Sequence, residues 1–423
     1  MTAALEAAAE AVLAANWRDG STVPSRRQYP HQWGWDAAYI SIGWSRIDPG
    51  RAATELESLL RGQWPDGRVP HIVFHPDVPE DAYFPGPAFW ESDVDGVATS
   101  GLTQPPLHAR AALEVARRSE DGAAFLRRVF RRLADQHAYL AGRRDVGGGG
   151  LAAIVHPWES GLDNSPAWDE PLAAVELPAE GVEPYQRQDR RHVDASERPD
   201  DAAYDRFVHL ARSYRDTGYA DDGRSAFLVE DPLFNAIWLW STHALIEIAE
   251  LIGEDPGPHR ESAARIHDGL HARLWDGSRF LPRDLRTDRL IERRTVLSLA
   301  PLLDPDLSPE VARAVADELG SPHFRADGGL GVSSFDMLAP EFEPRRYWRG
   351  PIWANLNWLL GRGLRQQGFV EQAEALDQAT LDLIARSGMR EYFDPTTGEG
   401  LGADDFSWTA AAVLDITASP STA

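Results

Sequence analysis

The chain has 423 residues, 43% of them hydrophobic, and a formal net charge of −24 at pH 7. That length allows one large domain or a few smaller ones; no run of eighteen apolar residues offers a membrane span, and the acidic field is wrong for nucleic acid or an anionic lipid surface. Cysteine and lysine are both absent, which excludes disulfides, thiolate chemistry, Schiff-base lysines and a Walker-type phosphate lysine.

The N-terminal stretch carries Glu6 and Glu10 within an apolar run and no basic segment. It reads as an amphipathic helix over Ala3–Ala15 rather than a signal peptide, which fits a cytoplasmic location. Apolar residues at three- and four-residue spacing then predict helices over Pro49–Gly62, Pro106–Arg118, Gly122–Ala141, Asp200–Thr217, Pro232–Ile252, His259–Trp275, Ser308–Leu319, Pro351–Gln367 and Val370–Ser387. Several open on Pro, Asp or Ser and several close on Gly, as helix ends do. Strand signals are few; Arg68–Phe74 is one. Within it His71 and His75 fall on one face with no third ligand, so no metal is expected there.

Between the helices lie long segments rich in Trp, Pro, Gly and carboxylates: Gln63–Gly101, His156–Pro178 and Glu391–Phe406. Long structureless loops in a compact domain are usually functional. Helix pairs with their unusual loops gathered at one end predict an all-α chain. The expected architecture is a single (α/α)₆ barrel domain over residues 1–423, a six-hairpin toroid, with loop insertions near 63–101 and 156–198. An open solenoid is the rival, but no fixed 34- or 40-residue period is present.

Four segments combine carboxylates, aromatics and glycine: Tyr29–Tyr39, His156–Pro171, Tyr347–Trp358 and Arg390–Ala411. None matches a phosphate loop, a dinucleotide turn, a zinc motif or a nucleophile elbow. Core packing explains most tryptophans, but indoles beside carboxylates also suit the C–H faces of sugars. Glycoside hydrolysis needs two carboxyl groups: one protonates the leaving oxygen, the other activates water or attacks the sugar. A carboxyl walled by Trp158 and Trp168 would have the raised pKa such an acid requires.

Taken together, QYPHQWGWDAAY, SGLDNSPAWD, YWRGPIWANLNW and EYFDPTTGEGLGADDFSWTAA resemble glycoside hydrolase family 63, in its bacterial glucosylglycerate and mannosylglycerate hydrolase branch. The resemblance runs from Tyr29 to Ala411 with the motifs in order. It implies an (α/α)₆ barrel and inverting, metal-free and cofactor-free hydrolysis of an α-glycosidic bond. It makes Asp163 the general acid and Glu391 the general base. By sequence alone Glu399, in the TGEG turn, is a rival base. The sugar-binding positions it implies are Tyr29, Trp33, Trp35 and Asp36; Trp158 and Gly161; Tyr347, Trp348, Gly350 and Trp353; and Trp408. Tyr83 and Gln104 match loop positions of the glycerate-side subsite, and Arg198 is expected to pair with the glycerate carboxylate, with Arg187, Arg190 and Arg191 close by. The chain departs from the family pattern before the tryptophan of the fourth motif, where it has Ser407 in place of the family's polar amide, a change that bears on substrate preference.

The expected activity is therefore cleavage of a small α-glycoside, glucosylglycerate or mannosylglycerate, to free sugar and glycerate. A trehalase-like or α-glucooligosaccharide hydrolase is the alternative on the same fold, and a non-catalytic carbohydrate-binding protein is the alternative of another class. The partner is a small carbohydrate; a homo-oligomer is compatible with the sequence.

Overall fold

A computed structural model describes residues 2–325 and 329–418. The described chain is predominantly helical. Its helices are α1 Thr2–Asn16, α2 Gly34–Trp44, α3 Pro49–Arg61, α4 Pro87–Trp90, α5 His108–Ala116, α6 Gly122–Tyr139 and α7 Asp169–Ala173. They continue with α8 Asp201–Asp216, α9 Pro232–Ile252, α10 Gly257–Gly269, α11 Pro309–Leu319, α12 Ala354–Gln366, α13 Val370–Ser387 and α14 Ser407–Thr417. A 3₁₀ helix, Val296–Leu303, stands between α10 and α11. No described helix is long and apolar enough to cross a membrane.

The ends follow local chemistry. Asp48, Asp200 and Asp231 each accept a backbone N–H from the first turn of α3, α8 and α9, and Pro49 and Pro232 sit where no intrahelical N–H is needed. Gly253 closes α9 at φ 82°, a left-handed angle that glycine adopts without a side-chain clash.

Packing separates the helices into two sets. α14 packs on α2, α2 on α5, α5 on α9, α9 on the 3₁₀ helix, that helix on α12, and α12 on α14. Each of these also carries an outer helix: α3 on α2, α6 on α5, α10 on α9, α11 on the 3₁₀ helix and α13 on α12 are sequence neighbours, and α1, from the other end of the chain, packs on α14. The first set is buried on nearly every side. All eleven residues of α2 are buried, as are the eight of the 3₁₀ helix.

That burial explains what periodicity missed. No helical periodicity marks 34–44, 296–303 or 407–417 in the sequence. A helix surrounded by protein has no polar face, so its 3.6-residue pattern vanishes. Conversely, the strand expected over Arg68–Phe74 shrinks to Ile72–Val73, paired antiparallel with Gln32–Trp33; Pro70 has no N–H to extend the ladder. His71 and His75 go to separate partners, Ser100 and Ser21.

The long loops hold only short elements. A four-stranded antiparallel sheet of two-residue strands orders Arg289–Leu290, Arg283–Asp284, Val229–Glu230 and Ala153–Ile154. A hairpin pairs Tyr392–Phe393 with Gly400–Leu401.

Gly43 marks the closest approach of α2 and α14: a Cβ there would lie 2.5 Å from Ala411 Cα. Gly43→Ala is expected to cost about 1–3 kcal/mol through overpacking. Thermal denaturation should show the midpoint fall by several degrees; an unchanged midpoint would contradict so close a contact.

Candidate active site

One end of the inner helices opens into an aromatic pocket with about 710 Å³ of empty space, part of it open to solvent. Of the residues singled out from sequence, its lining includes Tyr29, Trp33, Trp35, Asp36, Tyr83, Gln104, Trp158, Gly161, Asp163, Arg198, Tyr347, Trp348, Glu391 and Trp408. These come from stretches far apart in sequence.

Glu391 precedes the Tyr392–Phe393 strand. Its backbone N–H donates to Ala403 O at 3.0 Å, and Phe393 exchanges two backbone hydrogen bonds with Ile352 at 2.8 and 2.9 Å. The carboxylate is buried and fully engaged. Oε2 accepts from Arg198 Nη2 and from Ala403 N–H, each at 2.9 Å. Oε1 accepts from Tyr29 Oη at 2.8 Å and from Arg198 Nη1 at 3.4 Å. Tyr29 Oη in turn accepts from Arg198 Nη1 at 2.8 Å. A carboxylate offers about four acceptor positions, so the long 3.4 Å contact marks where Glu391 most readily takes a new donor.

Arg198 is also buried, with its guanidinium 4.6 Å from the centre of the Tyr347 ring. A short 3₁₀ turn, Ala195–Glu197, capped by Asp194, delivers it. Pro199 follows and biases Arg198 to extended backbone, and it adopts φ −109°, ψ 165°. Arg198, expected to pair with a ligand carboxylate, already has a countercharge in Glu391. It still lines the pocket, and its Nε has no hydrogen-bond partner among the described residues. Arg187 and Arg190 are not in the lining; both are bound to Asp201, and Arg187 also to Asp189.

Asp163 sits on the stretch 156–171, which is fastened at several points. Glu159 is fully buried and forms a two-point ion pair with Arg144 at 2.6 and 2.7 Å. It also accepts the N–H groups of Thr103 and Val155. Asn164 Oδ1 accepts Trp348 N–H at 3.0 Å, and Asp169 pairs with Arg349 at 2.8 and 3.0 Å. Gly161 has φ +75°, and a Cβ there would fall 2.5 Å from the Trp35 ring, so the chain turns against an indole where only glycine fits. Asp163 itself is left facing the pocket. Burial pushes its carboxyl up to about 7, opposed by Arg198 and reinforced by Glu391 and Asp189. Burial also holds Asp36 well above the usual carboxylate range.

The aromatic wall supplies polar edges. The indole N–H groups of Trp33, Trp348 and Trp408 are buried without a hydrogen-bond partner among the described residues. Trp348 stacks on Trp353, with ring centres 3.5 Å apart and planes 7° apart. Tyr347 holds φ 42°, a left-handed angle unusual for a tyrosine. Gln104 Oε1 accepts Trp35 N–H at 3.2 Å.

Two expected sugar contacts lie outside the lining. Trp353 backs Trp348 and donates its indole N–H to Tyr347 O at 3.1 Å. Gly350 donates to Ser334 Oγ and accepts from Ser333 Oγ; a Cβ there would meet Glu343 O at 2.6 Å. Glu399 is exposed on the hairpin turn and paired with Arg345 at 2.5 Å, so it is no rival to Glu391. Ser407 does not face the pocket either: it accepts from Asn16 Nδ2 at 2.9 Å and donates to Val23 O at 2.7 Å.

The lining also contains Pro24, Asp189, Pro199, Tyr204, Phe207 and Phe406, which sequence reasoning left out. Tyr204 and Phe207 sit three apart on α8 and read as ordinary core positions. Phe406 stands two residues from Trp408 and was within reach of the fourth motif.

A family model described as the mannosylglycerate hydrolase MGH1-like glycoside hydrolase domain matches residues 29–409. The mannosylglycerate hydrolase of Rubrobacter radiotolerans is 41% identical over 97% of this chain and 96% of its own length. The glucosylglycerate hydrolase of Mycolicibacterium hassiacum is 37% identical over 97% of each chain. The crystal structure of a family 63 mannosylglycerate hydrolase from Thermus thermophilus, in complex with Tris and D-glycerate, superimposes with a TM-score of 0.91. That structure is 40% identical, with 97% of this chain and 99% of that one covered. Neutral trehalase from Saccharomyces cerevisiae shares the fold at a TM-score of 0.62 and 16% identity, over 93% of this chain and 72% of its own. The chain thus belongs to the mannosylglycerate hydrolase MGH1-like glycoside hydrolase family, and is a glycoside hydrolase.

Proposed function

We propose that this chain hydrolyses glucosylglycerate or mannosylglycerate to free sugar and glycerate, with inversion at the anomeric carbon. The observation that carries the reading is the pairing of two unlike carboxyl groups in one aromatic pocket. Asp163 has a carboxyl raised to about 7, whereas Glu391 has an arginine countercharge at 2.9 Å. An acid that holds its proton near neutrality, facing the same pocket as a carboxylate oriented by an arginine, is the arrangement that acid and base roles require.

In the proposed reaction Asp163 donates its proton to the glycosidic oxygen as the bond to the anomeric carbon breaks. A water attacks that carbon from the opposite face and gives its proton to Glu391. Tyr29, Arg198 and Ala403 N–H orient Glu391. The unpartnered indole N–H groups of Trp33, Trp348 and Trp408 donate to sugar hydroxyls, and the stacked Trp348–Trp353 pair forms a rigid wall. Arg198 then bridges Glu391 and the glycerate carboxylate through its spare Nε–H, with Tyr83 and Gln104 beside it. The mannosylglycerate and glucosylglycerate hydrolases among the chain's relatives, and the D-glycerate complex of one of them, support this substrate class.

The same reading treats the chain as one catalytic domain, an (α/α)₆ barrel in which the six mutually packed helices form the inner ring. The contact pattern α14–α2–α5–α9–3₁₀–α12–α14 supports closure. A cytoplasmic setting suits a chain without cysteine.

Asp163→Asn and Glu391→Gln should each lower kcat by roughly 10²–10⁴-fold while circular dichroism stays native; wild-type turnover by either would overturn its role. The acid works only when protonated, so kcat/KM should fall as pH rises through about 7. A profile flat from about pH 6 to about 9 would remove Asp163 as the acid. To test the substrate reading, glucosylglycerate, mannosylglycerate, glucosylglycerol and trehalose are offered in parallel, with proton NMR of the first turnover. The two glycerate compounds should be preferred and the β-anomer of the sugar should appear first. Turnover of trehalose alone, or an α-anomer first, would defeat the proposal.

A further inference from the structure

Away from the pocket, α10 runs into a wider π-helical turn, Leu270–Leu274. His267 and His271 stand four residues apart on this element, with ring centres 4.8 Å from each other. Facing them is Asp304, which ends the 3₁₀ helix Val296–Leu303. Asp304 is buried; its Oδ1 accepts Asp306 N–H at 3.0 Å and its Oδ2 lies 2.7 Å from His267 Nδ1. One ligand atom from each of His267, His271 and Asp304 lies within 4.8 Å of the others. The Nε2 of His271 is buried with no hydrogen-bond partner among the described residues. On adjacent α9, His243 Nε2 is likewise unpartnered, 3.9 Å from Asp306 Oδ2. None of these residues lines the aromatic pocket.

A buried ring nitrogen without a partner is a desolvation cost that something must offset. We propose that His267, His271 and Asp304 bind one divalent transition-metal cation, with zinc the best match, and so fasten α10 to the 3₁₀ helix.

The donor set selects the metal class. Two imidazoles and one carboxylate suit zinc and its transition-metal neighbours. Calcium and magnesium demand mostly oxygen donors, up to six or more. Zinc bonds of roughly 2.0–2.2 Å place neighbouring ligand atoms about 3.3 Å apart, and rotation of two half-exposed imidazoles brings the group to that spacing. His243 or a water completes four-coordination. The strongly acidic chain raises the local cation concentration. The role is structural: α10 belongs to the outer set and the 3₁₀ helix to the inner, and the ion would reinforce the His267–Asp304 contact that joins them. No step of the glycosidic chemistry runs through it.

The test uses full-length protein stripped with a chelator and titrated calorimetrically with zinc chloride, with magnesium chloride in parallel. The expected result is one zinc per chain, no saturable magnesium binding, and a thermal midpoint that rises with zinc concentration. His271→Ala should weaken zinc binding beyond the roughly 10–100-fold typical of an outer-shell change, while the stripped variant keeps the wild-type circular dichroism. Asp304→Asn should do the same; because Asp304 is buried, His271→Ala and His267→Gln keep the test sound if that variant misfolds. Absence of stoichiometric zinc binding by the wild type overturns the proposal, and so does equal zinc affinity in wild type and His271→Ala.

Discussion

The active end of this molecule hangs on the buried pairing of Arg198 with Glu391. Arg198 belongs to the long excursion between α7 and α8, Glu391 to the C-terminal hairpin, and Tyr29, which touches both, to the segment before α2. One guanidinium therefore joins three chain regions. A buried ion pair contributes little net stability against a well-packed apolar substitute, but removing one partner strands a charge. Its value here is positional. It sets the direction of a carboxylate among aromatic rings that would otherwise expel it.

The neighbouring acids divide the work by what surrounds them. Glu159 has a full set of donors in Arg144 and two backbone N–H groups and serves as an anchor. Asp169 clamps Arg349, and Asn164 holds Trp348 N–H, so the second and third sequence motifs are laced together. Asp163, between them, is half-buried against the pocket without an equivalent partner, and its proton affinity rises accordingly. Similar side chains a few residues apart thus acquire different jobs from different hydrogen-bond environments.

How far this was readable beforehand depended on the signal. The peripheral helices carried amphipathic periodicity and were legible to within a few residues, as with Asp201–Asp216 and Val370–Ser387. The buried helices α2 and α14 were not, because surrounding protein erases the polar stripe. Most pocket residues were visible through motif chemistry. Tyr204 and Phe207 were not, since an aromatic on a helix face looks the same whether it meets a core or a cavity. The actual partner of Arg198 was also hidden: sequence shows that an arginine is near, but which acid it reaches is a matter of tertiary geometry. Gly350 and Trp353 were legible as members of a motif, yet motif membership does not distinguish a residue touching ligand from one supporting its neighbour.

The unpartnered indole N–H groups of the pocket have a further meaning for selectivity. A donor already desolvated by its surroundings gains from any ligand that brings an acceptor to it and penalises one that does not. If the proposed sugar contacts hold, discrimination would operate mainly by exclusion: a deoxy sugar would leave a donor unpaired, at greater cost than the loss of one contact. Glucose and mannose differ only in the direction of one hydroxyl, so on the proposed reading an epimer would be rejected or admitted according to whether that oxygen still meets one of these donors. On that reading the tryptophans would act as a stereochemical filter, one that depends on the rigidity of the stacked Trp348–Trp353 pair as well as on polarity.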